Sequence, residues 1–141
     1  MTRRKAPVFP FEAALKAALP AWDVSLVFAG PTLAKNLNHQ LRKKSYTPNV
    51  LSYPTGKKSG ELIICLEVAK EQAPEYGMRY AEFVGYLFIH GLLHLKGMAH
   101  GSTMERAERQ LMSRLAPTYS HATTHRNRNR HRDLPSKGRR R

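Results

Sequence analysis

The chain reads as one small α+β domain in which a small sheet packs on helices, and three observations carry that reading. Apolar residues recur every three to four positions in four separate segments, the period of a helix with one buried face. Three short apolar runs bounded by Gly, Pro, Ser and Asn lie between them and read as strands. The length of 141 residues suits a single modest core, and no segment repeats another.

Taken in order, Phe11 to Leu19 carries apolar positions at Phe11, Ala14, Leu15 and Leu19 and is closed by Pro20, which predicts a short amphipathic helix. Val24 to Phe28 predicts a strand. Pro31 fits the first turn of a second helix running to about Lys43, with Leu33, Leu37 and Leu41 as its apolar stripe. Val50 to Tyr53 and Leu62 to Leu66 predict two more strands, joined by a loop of Gly and Lys around Thr55 to Gly60. Tyr80 to Lys96 is the longest helix, apolar over much of its surface and therefore central. Ser102 with Glu105 three residues on reads as a capping box opening a last helix that ends before Pro117.

Charge divides the chain. The formal net charge is +14, and residues 121–141 hold eight Lys and Arg against the single Asp133, so half of the excess, +7, lies there and half in the remainder. A balance of this kind favours a polyanion as partner. The run Thr124 to Arg132 has too little apolar content to form a core, which sets a domain at 1–118 and a basic disordered tail at 119–141. The single cysteine, Cys65, excludes an intramolecular disulfide and sits in the run Leu62 to Leu66, where a buried strand thiol is expected. The most apolar stretch, Phe83 to Leu95, is too short to span a bilayer, and the basic Met1 to Lys5 is not followed by an apolar run with a cleavage site. The expected compartment is the cytoplasm, with no membrane partner.

Chemistry concentrates in one segment, His90-Gly91-Leu92-Leu93-His94-Leu95-Lys96-Gly97-Met98-Ala99-His100. Residues four apart share a helix face, so His90 and His94 can aim at one ion. Gly97 can take the left-handed conformation that ends the helix and brings His100 back to the same point. Three imidazoles leave a fourth tetrahedral position for water, the arrangement of a catalytic zinc site. The predicted cofactor is thus one Zn²⁺ per chain, held by His90, His94 and His100. The spacing is that of the metzincin proteases, but those enzymes place their Glu base directly after the first His, where this chain has Gly91. His121 and His125 repeat the four-residue spacing without a third histidine at the right offset and are set aside.

With that motif, Leu37 to Arg42, Asn49 to Pro54 and Gly60 to Cys65 match in order and spacing the L-N-x-x-Y-R, N-V-L-S-F-P and G-D-I-x-I-C segments of a known family. Over about residues 31–116 the chain resembles the YbeY-type endoribonucleases, also called rRNA maturation factors. It departs from their pattern at Ala99, where Asp is usual, and at Met98, Leu41, Tyr53, Pro48 and Glu61. The resemblance implies a mixed sheet with a zincin-like metal helix, and a metal-dependent endoribonuclease acting on single-stranded RNA. Its implied setting is 16S rRNA 3′ end maturation and ribosome quality control, with a ribosomal or assembly-factor partner.

The resemblance also implies a role for Arg42, which occupies the position of the family's functional arginine and would bind a phosphate bidentately as charge develops. Lys43 and Lys44 would extend that strip. Tyr46 can stack on an unpaired base, whereas Tyr53 is expected in the core. No residue is singled out as general acid or base. Two alternatives stay open at this point: a non-catalytic RNA-binding assembly factor with a structural metal, and a metallopeptidase.

Overall fold

The computed structural model describes residues 7–119, and it is α+β as the sequence predicts. Helix α1 (Phe11–Ala18) leads into strand β1 (Asp23–Ala29) and helix α2 (Pro31–Arg42). Strands β2 (Val50–Gly56) and β3 (Ser59–Cys65) form a hairpin, followed by helix α3 (Leu66–Gln72), a 3₁₀ turn at Ala73–Tyr76, helix α4 (Tyr80–Leu95) and helix α5 (Ser102–Tyr119). The strand order is β1-β3-β2, with β3 parallel to β1 and antiparallel to β2. Parallel neighbours cannot be joined by a tight turn, and the crossover between β1 and the hairpin is supplied by α2.

Successive residues of a strand face opposite sides of the sheet, and β3 makes that alternation into two cores. Leu62 and Ile64 pack with α1, α4 and α5 in the main cluster, whereas Ile63 and Cys65 pack with Ala29, Leu51 and Ala34 of α2 in a smaller one. Cys65 is a buried thiol at the end of β3, as expected. The central helix α4 buries nine of its residues between Phe83 and Leu93. It approaches the sheet closely at Gly91, where a Cβ would stand 2.7 Å from Leu62 Cδ2.

Several elements differ from the sequence expectation. Of the Leu33–Leu37–Leu41 stripe only Leu37 packs on the smaller core: Leu33 and Leu41 are 48% and 46% exposed, and the residues α2 fully buries are Ala34 and Asn38. Small side chains let the helix lie close to a three-stranded sheet too narrow to cover Leu33 and Leu41 as well. The loop predicted at Thr55 to Gly60 shrinks to a turn at Lys57 and Lys58, because both strands run further, with a register irregularity between Pro54 and Gly56. Pro54 is tolerated there because β2 is an edge strand.

Leu66 ends no strand but opens α3, which the sequence reading missed. Ser102 is the first helical residue of α5, so the first bond runs from Glu105 N–H to the Gly101 carbonyl at 3.0 Å and the predicted capping box is displaced. The last helix also continues through Pro117 to Tyr119. The hydrogen bond that proline forgoes is to Ser113, which is exposed, so water can satisfy that carbonyl. The basic run expected to form a tail lies, from Ser120 onward, outside the described residues. Among the described residues no helix is long and apolar enough to cross a membrane.

Candidate metal centre

The site is built at the C-terminal end of α4, where helix geometry and a glycine turn act together. His90 and His94 lie one turn apart with ring centroids 4.6 Å apart. The helix then stops in a Schellman motif: Met98 N–H bonds the Leu93 carbonyl at 3.0 Å and Gly97 N–H bonds the His94 carbonyl at 2.9 Å. The motif needs a residue with positive φ, and Gly97 supplies it at +104°. The reversal brings His100 over the open face of α4. Its Nε2 stands 2.9 Å from His94 Nε2, which in turn is 3.2 Å from His90 Nε2.

The donor set fits a metal ion. The other nitrogen of His94, Nδ1, lies 3.1 Å from the Met98 carbonyl, and Nδ1 of His90 lies 2.6 Å from Glu108 Oε2. A carbonyl oxygen only accepts, so His94 Nδ1 carries the proton and its Nε2 is a bare lone pair. Facing nitrogens at this distance repel unless a proton or cation lies between them. In a tetrahedral site with Zn–N bonds of about 2.0–2.1 Å, adjacent ligand nitrogens stand roughly 3.3 Å apart, close to the spacings found. The three ligand atoms all fall within 4.8 Å of one another.

The electrostatics agree. Burial, followed by the neighbouring His90 and His100, lowers the His94 pKa from 6.5 to about 4. That histidine is therefore a neutral imidazole at physiological pH, the form a metal requires. Exposure increases across the triad: His90 and His94 are partly buried and His100 is exposed.

Sequence reasoning missed Glu108 and Tyr86. Glu108 is 5% exposed on α5, with Oε1 accepting from the Tyr86 hydroxyl at 3.2 Å. Burial first, and then the Glu108 charge, raise the Tyr86 phenol pKa far above its usual value and keep it a donor. A signal was present: Met104, Glu108, Leu111 and Leu115 fall at helical spacing on one stripe, and all four are buried. A charge on an apolar stripe needs a partner.

The other sequence candidates are not gathered here. Arg42 is exposed on the last residue of α2, which packs on the opposite face of the sheet from α4, and no hydrogen bond or ion pair links it to the histidines. Lys43 holds a positive φ of 60° beside it, and Lys44 is exposed. Tyr53 packs in the smaller core as expected and donates its hydroxyl to Glu61. Tyr46 is 37% exposed. Gly91 faces Leu62 of the sheet, so the position that holds the metzincin base is closed off by packing.

Known proteins resemble this chain along most of its length. The family model for Endoribonuclease YbeY matches residues 8–123. A protein of Bdellovibrio bacteriovorus named Endoribonuclease YbeY is 37% identical over 95 residues, covering 66% of this chain and 63% of its own length. The chain thus spans under two thirds of that relative. One of the same name from Polynucleobacter asymbioticus is 34% identical over 120 residues, covering 78% of this chain and 77% of the relative. The solution structure of TM1509 from Thermotoga maritima shares the fold, with a TM-score of 0.57 at 23% identity over 75% of this chain and 76% of that one. By the extent of the family match and by the Polynucleobacter relative, the chain belongs to the YbeY endoribonuclease family.

Proposed function

We propose that the chain is a metal-dependent endoribonuclease that cuts single-stranded segments of ribosomal RNA, in 16S rRNA 3′ end maturation and ribosome quality control. One observation supports this most: three Nε2 atoms converge on one point while the Nδ1 atoms of two of the rings are held by acceptors. His90, His94 and His100 are the proposed ligands, and Zn²⁺ is the proposed ion because an all-imidazole tetrahedral set suits it. When bound, the ion supplies Lewis acidity toward a phosphoryl oxygen and toward water.

The chain's own residues divide the remaining work. The Met98 carbonyl holds the His94 ring with Nε2 outward, which spares that ligand any reorganisation on binding. His100, the exposed ligand, borders the open side from which a polyanion can enter. Arg42 is proposed to bind a phosphate of the RNA bidentately. Lys43, Lys44 and the basic residues 121–141 contribute salt-sensitive attraction spread over many groups. Packing at Gly91 weighs against the metallopeptidase alternative, since a Glu there would be driven into Leu62.

The test uses purified full chain, a labelled single-stranded rRNA fragment and an unfolded protein substrate, each with and without chelator. Chelator-sensitive cleavage of the RNA alone is expected, with about one Zn²⁺ bound per chain and loss of both in His94→Ala. Cleavage that persists undiminished in a His94→Ala, His100→Ala double variant sinks the site assignment. Arg42→Ala should lower the cleavage rate more than RNA affinity, and Arg42→Lys should restore little. Equal cleavage by both variants and the parent would leave Arg42 a surface residue.

A further inference from the structure

Two of the three histidines have their rings fixed by different kinds of partner. His94 is held by a backbone carbonyl inside a helix-terminal motif, so almost no side-chain substitution can remove that partner. His90 is held by a side chain from another helix, Glu108 of α5, at 2.6 Å. Glu108 is the one charged side chain buried among the described residues. A buried carboxylate is tolerated only when its oxygens are hydrogen-bonded. Here both are: Oε2 meets His90 Nδ1 and Oε1 meets the Tyr86 hydroxyl. Tyr86 and His90 are one turn apart on α4, so a single carboxylate bridges two consecutive turns of the metal helix. Ala99, next to the third histidine, offers no carboxylate to do the same.

We infer that Glu108 is the positioning residue of this centre. It fixes His90 in the tautomer and ring orientation that present Nε2 to the ion, and Tyr86 fixes Glu108 in turn. The role rests on the metal-site reading above. Groups that orient a metal-bound histidine through its second nitrogen are worth about 10–100-fold in metal affinity, so the effect should be large enough to measure directly. Its consequence is that the docking of α5 on α4 and the loading of the metal are one coupled event.

The experiment compares Zn²⁺-loaded full chain with Glu108→Gln, Glu108→Leu, Tyr86→Phe and, as control, the exposed Glu75→Gln, by competition with a chromophoric chelator. Glu108→Leu should weaken Zn²⁺ binding about 10–100-fold. Glu108→Gln should recover part of that, because its amide oxygen still accepts from Nδ1–H. Tyr86→Phe should cost a few-fold and Glu75→Gln nothing.

A second readout is the His90 Nδ1 proton in the NMR spectrum of the loaded chain. It should be far downfield and slow to exchange in the parent, and lose both properties in Glu108→Leu. Parental affinity in both Glu108 variants overturns the role alone, whereas a parent that binds no Zn²⁺ overturns the metal reading together with it. If Glu108→Leu does not fold, the parent spectrum decides. A His90 Nδ1 proton without protection in the parent refutes the assignment.

Discussion

Replacing Gly91 by Ala should destabilise this protein, although the same change in an exposed helix normally stabilises it. The favourable part is helix propensity, about 0.8–1.0 kcal/mol. The opposing part comes from the sheet. The new methyl would stand 2.7 Å from Leu62 Cδ2 and 3.0 Å from Leu62 Cγ, where ordinary carbon contacts lie near 3.5–4.0 Å. Rotating the end of Leu62 relieves the first contact but not the second, and Leu62 is fully buried with 0% exposure. Overpacking of this kind costs about 1–3 kcal/mol. The net expectation is a loss of roughly 1 kcal/mol, or about 3–6 °C in Tm for a domain of this size. Relief by lifting α4 off β3 would move the turn that carries His90 and His94, so Zn²⁺ affinity should fall as well. Urea melts with metal removed and restored, together with a Zn²⁺ titration, measure both quantities. A Gly91→Ala protein that is more stable than the parent and binds Zn²⁺ equally would refute the argument that the α4–β3 spacing sets the histidine geometry.

Gly97→Ala meets no atom within 4 Å but inherits a φ of +104°; it should cost about 1–2 kcal/mol through backbone strain alone, and weaken Zn²⁺ binding because the Met98 carbonyl shifts. In the metal-free chain, the lowered pKa of His94 means that the unfolded state binds more protons between pH 6.5 and about 4. Its contribution to stability is complete above pH 6.5 and is lost as pH falls toward 4, a slope in Tm that His94→Asn should remove. Truncation after Ser120 removes eight cations and one acid, and should reduce RNA affinity and flatten its dependence on salt while single-turnover cleavage persists. Unchanged salt slopes would reduce residues 121–141 to a solubility segment.

The parts of the site that were legible in the sequence are those fixed by local geometry. Four-residue spacing put His90 and His94 on one face, and the need for positive φ marked Gly97 as the turn that returns His100. The burial of α4 was legible for the same reason, since an apolar surface on all sides leaves no face for water. Features that depend on the width of a neighbour were not. Leu33 and Leu41 follow the helical period, yet the sheet beneath α2 is too narrow to cover them. The start of α3 at Leu66 was hidden because a run of apolar residues reads equally as strand. Glu108 was the costliest omission: its stripe mates Met104, Leu111 and Leu115 mark it as buried, but only the packing of α5 on α4 shows that its partner is His90.

The division of the sheet into two unequal cores has a dynamic consequence. Among the described residues, twenty buried ones hold the side of Leu62 and Ile64, and five hold the side of Ile63 and Cys65. A layer secured by so little apolar burial opens at a lower free energy than the rest of the domain, so α2 should lift as a separate cooperative unit while the histidine side stays folded. Cys65 lies beneath that layer and reports on it. Its alkylation rate in dilute urea should follow the opening of α2 and be almost insensitive to added Zn²⁺, whereas amide exchange in α4 and α5 slows when the ion binds. The domain would then have two stability scales, of which the metal governs only one.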